Sequence, residues 1–164
     1  MRRKVSAFVL AVLLSVIVSY AVAQEIPTAP LVKPINPKLI NITGTWKYVS
    51  STPSVRGVCP AGGPASGSCT ITKGAKGYTL VFVSGRVCKP ASMCTFKGAL
   101  SGNELVLSNT ATVDSEGGSA TNALRLTVYT NEHVSGEGSS RYVHPEGFQC
   151  HWRYGLTLTR KSGK

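Results

Sequence analysis

Gln149-Cys150-His151-Trp152-Arg153-Tyr154-Gly155-Leu156-Thr157-Leu158-Thr159-Arg160 places Cys, Trp, Tyr, Leu, Leu and Arg on its even positions and polar or small residues on its odd ones. In an extended chain, residues two apart share a face, so these twelve residues read as a strand with one buried side and one wet side. The same two-residue alternation, bounded by Gly, Asn and Ser, recurs upstream, with no persuasive 3.6-residue apolar period between. Eight strands are expected: Thr43 to Ser51, Ser68 to Lys73, Gly77 to Val87, Met93 to Leu100, Asn103 to Thr112, Thr121 to Thr130, Glu132 to Tyr142, and Gln149 to Arg160.

The connections alternate in length. Gly74-Ala75-Lys76, Ser101-Gly102 and the Asn131 region are short, while Gly57 to Gly67, Lys89 to Ser92, Val113 to Ala120 and Val143 to Phe148 are longer. Hairpins joined in sequence order would gather the short turns at one end and the long loops at the other. That predicts a single eight-stranded antiparallel up-and-down β-barrel over residues 41–164, in preference to a β-sandwich. Parity points Tyr78, Leu80, Phe82, Phe96, Leu105, Leu107, Leu124, Leu126 and Val128 inward, and puts Gly136 and Gly138 on the same side, where they leave room.

Two segments precede this domain. Arg2-Arg3-Lys4, the apolar run Val5 to Val18 and the small residues Ala21-Val22-Ala23 read as a secretory signal over 1–23, with the mature chain starting at Gln24. A membrane anchor is the alternative for a run of this length; with cleavage no membrane span remains, and the expected location is secreted or periplasmic. Residues 24–40 carry Pro27, Pro30, Pro34 and Pro37, a spacing that favours an extended arm. Three of the 18 basic residues lie in the leader and all seven acidic ones lie beyond it, so the mature chain is basic at +8. Such a surface draws anionic polymers and anionic membranes.

All five cysteines follow the leader: Cys59, Cys69, Cys88, Cys94 and Cys150. In an oxidising compartment two disulfides and one odd thiol are expected. Short separations make Cys59 to Cys69 and Cys88 to Cys94 attractive local bridges, although sequence leaves the connectivity open. A zinc site lacks its Cys-x-x-Cys pair. One sequon, Asn41-Ile42-Thr43, matters in a glycosylating host.

No catalytic set is legible. The acidic residues fall mostly at turns or on outward parity, so none can be paired across a cleft. Ser139-Ser140 with His144 lacks an orienting acid, and Cys150 and His151 point to opposite faces of one strand. His144 and His151 supply two nitrogen ligands where a metal usually takes three or four. A non-enzymatic protein with no cofactor and no metal is the expectation. Nucleic acid is disfavoured, because exposed aromatics do not interleave with the basic residues. His151, Arg153, Lys161 and Lys47 are expected to form a basic stripe where the first and last strands meet.

Gly44-Thr45-Trp46 at the start of the first strand, with Leu156-Thr157-Leu158-Thr159-Arg160 at the end of the last, resembles the calycin superfamily of lipocalins and avidins. The resemblance implies that Trp46 closes one end of the barrel and that Arg160 packs across its ring. It also implies a small apolar ligand held in or at the barrel's mouth, for which Tyr142, His144, Trp152 and Tyr154 are the candidate contacts. Biotin is not expected, since Trp46 and Trp152 lie on the first and last strands. The same opening and close are similar to those of small exported barrel inhibitors of bacterial metalloproteases, which implies a protease as the partner of the N-terminal arm. Surface recognition of an anionic polysaccharide is the third alternative.

Overall fold

The computed structural model describes residue 36 and residues 39–113 and 117–161. The leader at 1–23 and all of the arm except residues 36, 39 and 40 lie outside the described residues. The strands are β1 (Gly44–Ser50), β2 (Ser54–Arg56), β3 (Ala65–Gly74), β4 (Gly77–Phe82), β5 (Thr95–Ser101), β6 (Glu104–Thr112), β7 (Ser119–Thr130), β8 (His133–Val143) and β9 (Gln149–Arg160). Every strand from β3 to β8 pairs antiparallel with the next, and β1 pairs with both β3 and β9, so eight strands close into an up-and-down barrel.

The short strand β2 continues β1 along β9. Pro53 has no backbone N–H to donate, and after Ser51, whose N–H donates to the Gly155 carbonyl, the ladder breaks at Thr52-Pro53 before resuming with Ser54 opposite Arg153 and Arg56 opposite His151. Twelve residues of β9 are long enough to serve β1 and β2 in turn. The expected strand from Gly77 to Val87 stops at Phe82, where the chain turns back against β3. Val83 and Ser84 donate to the Ser68 carbonyl, and Gly85 turns with φ +79° so close to β3 that a Cβ there would lie 1.8 Å from the Ser66 carbonyl oxygen. Only glycine fits that approach.

Parity and burial agree. Trp46, Cys69, Ile71, Leu80, Leu105, Leu124, Leu126, Val134 and Leu158 are fully buried, while Phe82 and Phe96 meet edge to face with centroids 5.7 Å apart. The room expected beside Gly138 is filled: a Cβ there would lie 2.3 Å from the Tyr154 ring. At Gly136 the missing Cβ admits the Arg125 carbonyl, 2.2 Å from where it would stand.

At the short-turn end Arg160 lies over Trp46, with its guanidinium carbon 4.8 Å from the ring centroid. The same guanidinium donates to the carbonyls of Thr43 (2.8 Å), Asn131 (2.6 Å) and Asn41, while the Trp46 indole N–H donates to the Ile42 carbonyl. Cation, ring and backbone therefore seal this end together.

Two cysteine pairs stand within disulfide reach, Cys88 with Cys94 and Cys59 with Cys150, with Cα atoms 5.6 and 6.0 Å apart. The local Cys59 to Cys69 bridge is corrected. β2 carries the chain alongside β9, so Cys59 arrives at Cys150, whereas Cys69 sits inside β3 with its side chain buried and its thiol free. Burial pushes the Cys69 thiol up to about 12, which makes it inert at neutral pH. No helix among the described residues is long and apolar enough to cross a membrane.

Candidate site at the barrel mouth

The long connections between β1 and β3, β4 and β5, β6 and β7, and β8 and β9 all open at the end opposite Trp46, and both cysteine pairs lie there. The β4–β5 loop shapes the mouth. After the Gly85 turn it drops Arg86 between two aromatic rings, with its guanidinium carbon 5.0 Å from the Phe82 centroid and 4.8 Å from that of Tyr154. One N–H donates to the Tyr154 hydroxyl at 3.3 Å. The Tyr48 hydroxyl donates to the Ser84 carbonyl and holds the start of the loop, and burial raises the Tyr48 phenol above its ordinary range.

The far side of the loop is tied down by polar side chains that face inward. Asn109 donates to the carbonyls of Met93 and Thr95, Asn122 donates to the Asn109 side-chain oxygen (2.7 Å), and Ser140 donates to the Asn122 side-chain oxygen (2.5 Å). This chain crosses β6, β7 and β8 beneath the rim, so polar groups buried there are satisfied by one another. Between loop and wall lies a cavity of about 310 Å³, lined among others by Arg86, Lys89, Met93, Phe96, Asn122 and Ser140. Its lining mixes cationic groups from the loop, an amide and a hydroxyl from β7 and β8, and the apolar side chains of Met93 and Phe96. Among the described residues no carboxylate pairs with Arg86, and no group of three His, Cys, Asp or Glu side chains could hold a metal ion.

The four candidate contact residues do not converge. Tyr154 is inside the mouth, buried and in contact with Arg86. Trp152 is half-buried at the rim, where its indole N–H donates to the Pro60 carbonyl (3.2 Å) and anchors the β2–β3 loop. Tyr142 and His144 belong to a separate aromatic cluster at the β8–β9 turn: His144 stacks on Phe148 with centroids 4.2 Å apart, and the Tyr142 ring lies 6.1 Å from Phe148. The expected basic stripe also divides. Lys47 faces Thr159, six residues along β9 from Arg153, while His151 is flanked by Arg56 on β2 and Arg141 on β8.

Arg86, Asn122 and Ser140 were absent from the sequence-based set of contacts. Asn122 shares parity with Leu124 and Leu126, and that placement among inward residues was the available signal. Arg86 carried the same signal, since it shares parity with Tyr78, Leu80 and Phe82, but it falls where a strand was expected to continue.

A closed eight-stranded antiparallel barrel with one sealed end and one looped mouth is compatible with a calycin-like architecture. Compared with known proteins, the chain matches no family model, no curated protein and no solved structure.

Proposed function

We propose that this protein is a calycin-like binding protein for a small organic anion, with the carboxylate or similar head group on Arg86 and a short apolar body against Met93 and Phe96. The observation that carries the reading is the state of Arg86: a half-buried guanidinium, walled by two rings, with one of its five donors spent on Tyr154 and no carboxylate partner among the described residues. Cations withdrawn from water are ordinarily paired, and a ligand anion would supply the partner. A cavity of about 310 Å³ suits a small molecule at the lower end of the usual range. Exported proteins with signal-type leaders act outside the cytoplasm, and the expected secreted or periplasmic location belongs to this reading.

The test is calorimetric titration with octanoate, and with octanol as the uncharged match. Octanoate should bind at least roughly ten-fold tighter than octanol, the least expected of a charge-assisted hydrogen bond. Arg86→Gln should erase that difference while leaving the far-ultraviolet spectrum unchanged. Equal binding of acid and alcohol, or an unaltered preference in the variant, would rule the reading out.

A further inference from the structure

A band of exposed arginines and small residues lies on the outside of the barrel, away from the mouth cavity. Arg56, His151, Arg141 and Thr121 are successive neighbours across β2, β9, β8 and β7, and all four are exposed. Two residues further along the strands the corresponding neighbours are Ser54, Arg153, Ser139 and Ala123. Two further on, Glu137 stands between Gly155 and Arg125. Arginines therefore frame a floor of small residues. Two hollows of about 190 and 260 Å³ run along this floor and share Ala123, Ser139 and Arg153 in their walls.

Strands lie about 4.8 Å apart and rise about 3.4 Å per residue. Arg56 and Arg141 are thus separated by about two strand spacings, and Arg125 on β7, whose β8 partner Glu137 is four residues from Arg141, lies about 14 Å from Arg141. Four arginines face a single carboxylate within the trough, Glu137. Arg125 is engaged with Glu104 at 2.8 Å and Arg141 with Gln149 at 2.8 Å, but Arg56 and Arg153 have no acidic partner among the described residues.

We infer that this trough on β2, β9, β8 and β7 binds an acidic polysaccharide. Sulfate or carboxylate groups spaced along a sugar chain would meet Arg56, Arg141 and Arg153, while Ser54, Ser139 and Thr121 offer hydroxyls to the sugar's own. A polyanion fits better than a compact anion because the cations are distributed over a patch spanning β2 to β7 instead of converging on one point. Nucleic acid fits less well. Single strands are held by stacking on aromatic platforms; here the exposed aromatics Tyr129 and Phe148 lie elsewhere, and the one indole in the trough's wall, Trp152, is half-buried with its N–H held by the Pro60 carbonyl.

The experiment is binding of the full chain to a heparin-derived octasaccharide, followed calorimetrically at low and at physiological salt. Wild type should bind, and more weakly as salt rises, because exposed charges are screened. The triple variant Arg56→Ser, Arg141→Ser, Arg153→Ser should lose roughly ten-fold or more in affinity, with its octanoate titration unchanged. A charge-matched control, Lys47→Ser, Lys76→Ser, Lys97→Ser, removes three exposed cations from elsewhere on the barrel and should keep most of the binding. If the control loses as much as the arginine variant, net charge and not the trough is responsible, and the inference fails. It fails equally if wild type does not bind, or if single-stranded DNA of matched charge binds as tightly as the octasaccharide.

Discussion

Arg160 and Arg86 sit at opposite ends of one barrel, each with its guanidinium carbon 4.8 Å from an aromatic centroid. Arg160 spends its donors on three backbone carbonyls, from Asn41, Thr43 and Asn131, and thereby ties the approach to β1 and the β7–β8 turn to the end of β9. Arg86 gives one donor to a side-chain hydroxyl and looks onto a cavity. On the proposed reading the same chemical pair does two kinds of work. The arginine with three backbone bonds fastens chain segments, and the loop arginine with a single side-chain bond receives an incoming anion.

The contrast can be broken first at the mouth's covalent ties. Replacing Cys59 and Cys150 by Ser should cost about 4 to 5 kcal/mol, because their separation of 91 residues is a long loop in the chain-entropy relation. Replacing Cys88 and Cys94, six apart, should cost about 2 kcal/mol. Equal losses in urea denaturation would mean that the two pairs do not constrain the unfolded chain as their spacing requires.

At the sealed end, Trp46→Ala should destabilise by about 3 to 5 kcal/mol, the range for a large buried aromatic. A midpoint shift in urea equivalent to less than about 1 kcal/mol would place the indole at the surface and dissolve the likeness to calycins.

Comparing the arginines directly, Arg160→Met should cost about 2 to 3 kcal/mol, since carbonyls lose a charged donor. Arg86→Met should cost less than about 1 kcal/mol, as the methionine keeps apolar contact with Phe82 and Tyr154. Thermal denaturation of both variants settles the order, and a reversed order would end the distinction between fastening and receptive arginines.

Between the two ends lies Cys69, and its prediction is the smallest. The unfolded thiol ionises above its ordinary value of 9.0, while the folded one keeps its proton until about 12. Its stabilising contribution is therefore complete below pH 9 and declines as pH rises toward 12, by about 1.4 kcal/mol per unit. Between pH 9 and 10 the slope of stability against pH should be shallower in Cys69→Ala than in wild type. Parallel slopes would mean that the thiol is not buried in the folded chain.

The barrel was legible because its strands are wet on one side and dry on the other. Leu124-Arg125-Leu126-Thr127-Val128 and Leu156-Thr157-Leu158 announce their faces, and Gly74 to Gly77 or Ser101-Gly102 leave no length for anything but a tight turn. Alternation fails where side chains serve a loop. Val83 and Val87 prolong only the outward parity of Val81, while Ser84 and Arg86 take the inward parity of Tyr78, Leu80 and Phe82, and the Gly85 approach to β3 that ends the strand is a tertiary contact that no local pattern encodes. The place of Arg86 between two rings was hidden for that reason, and Cys59 found Cys150 only because β2 follows β9. His144 and Trp152 look like site residues on composition, yet each is engaged at the rim, one with Phe148 and one with Pro60.

Gly138 and Tyr154 face each other across β8 and β9, and the ring of one occupies the place where the other's Cβ would be. The capacity of the lumen is consequently written in a two-residue register. Trimming position 154 while keeping glycine at 138 would excavate a chamber continuous with the vestibule under Arg86, whereas any side chain at 138 would evict the tyrosine and swing its hydroxyl off the guanidinium. A lineage or a protein engineer could thus convert this barrel between shallow-cup and deep-well forms through that pair alone, with the Trp46 floor untouched.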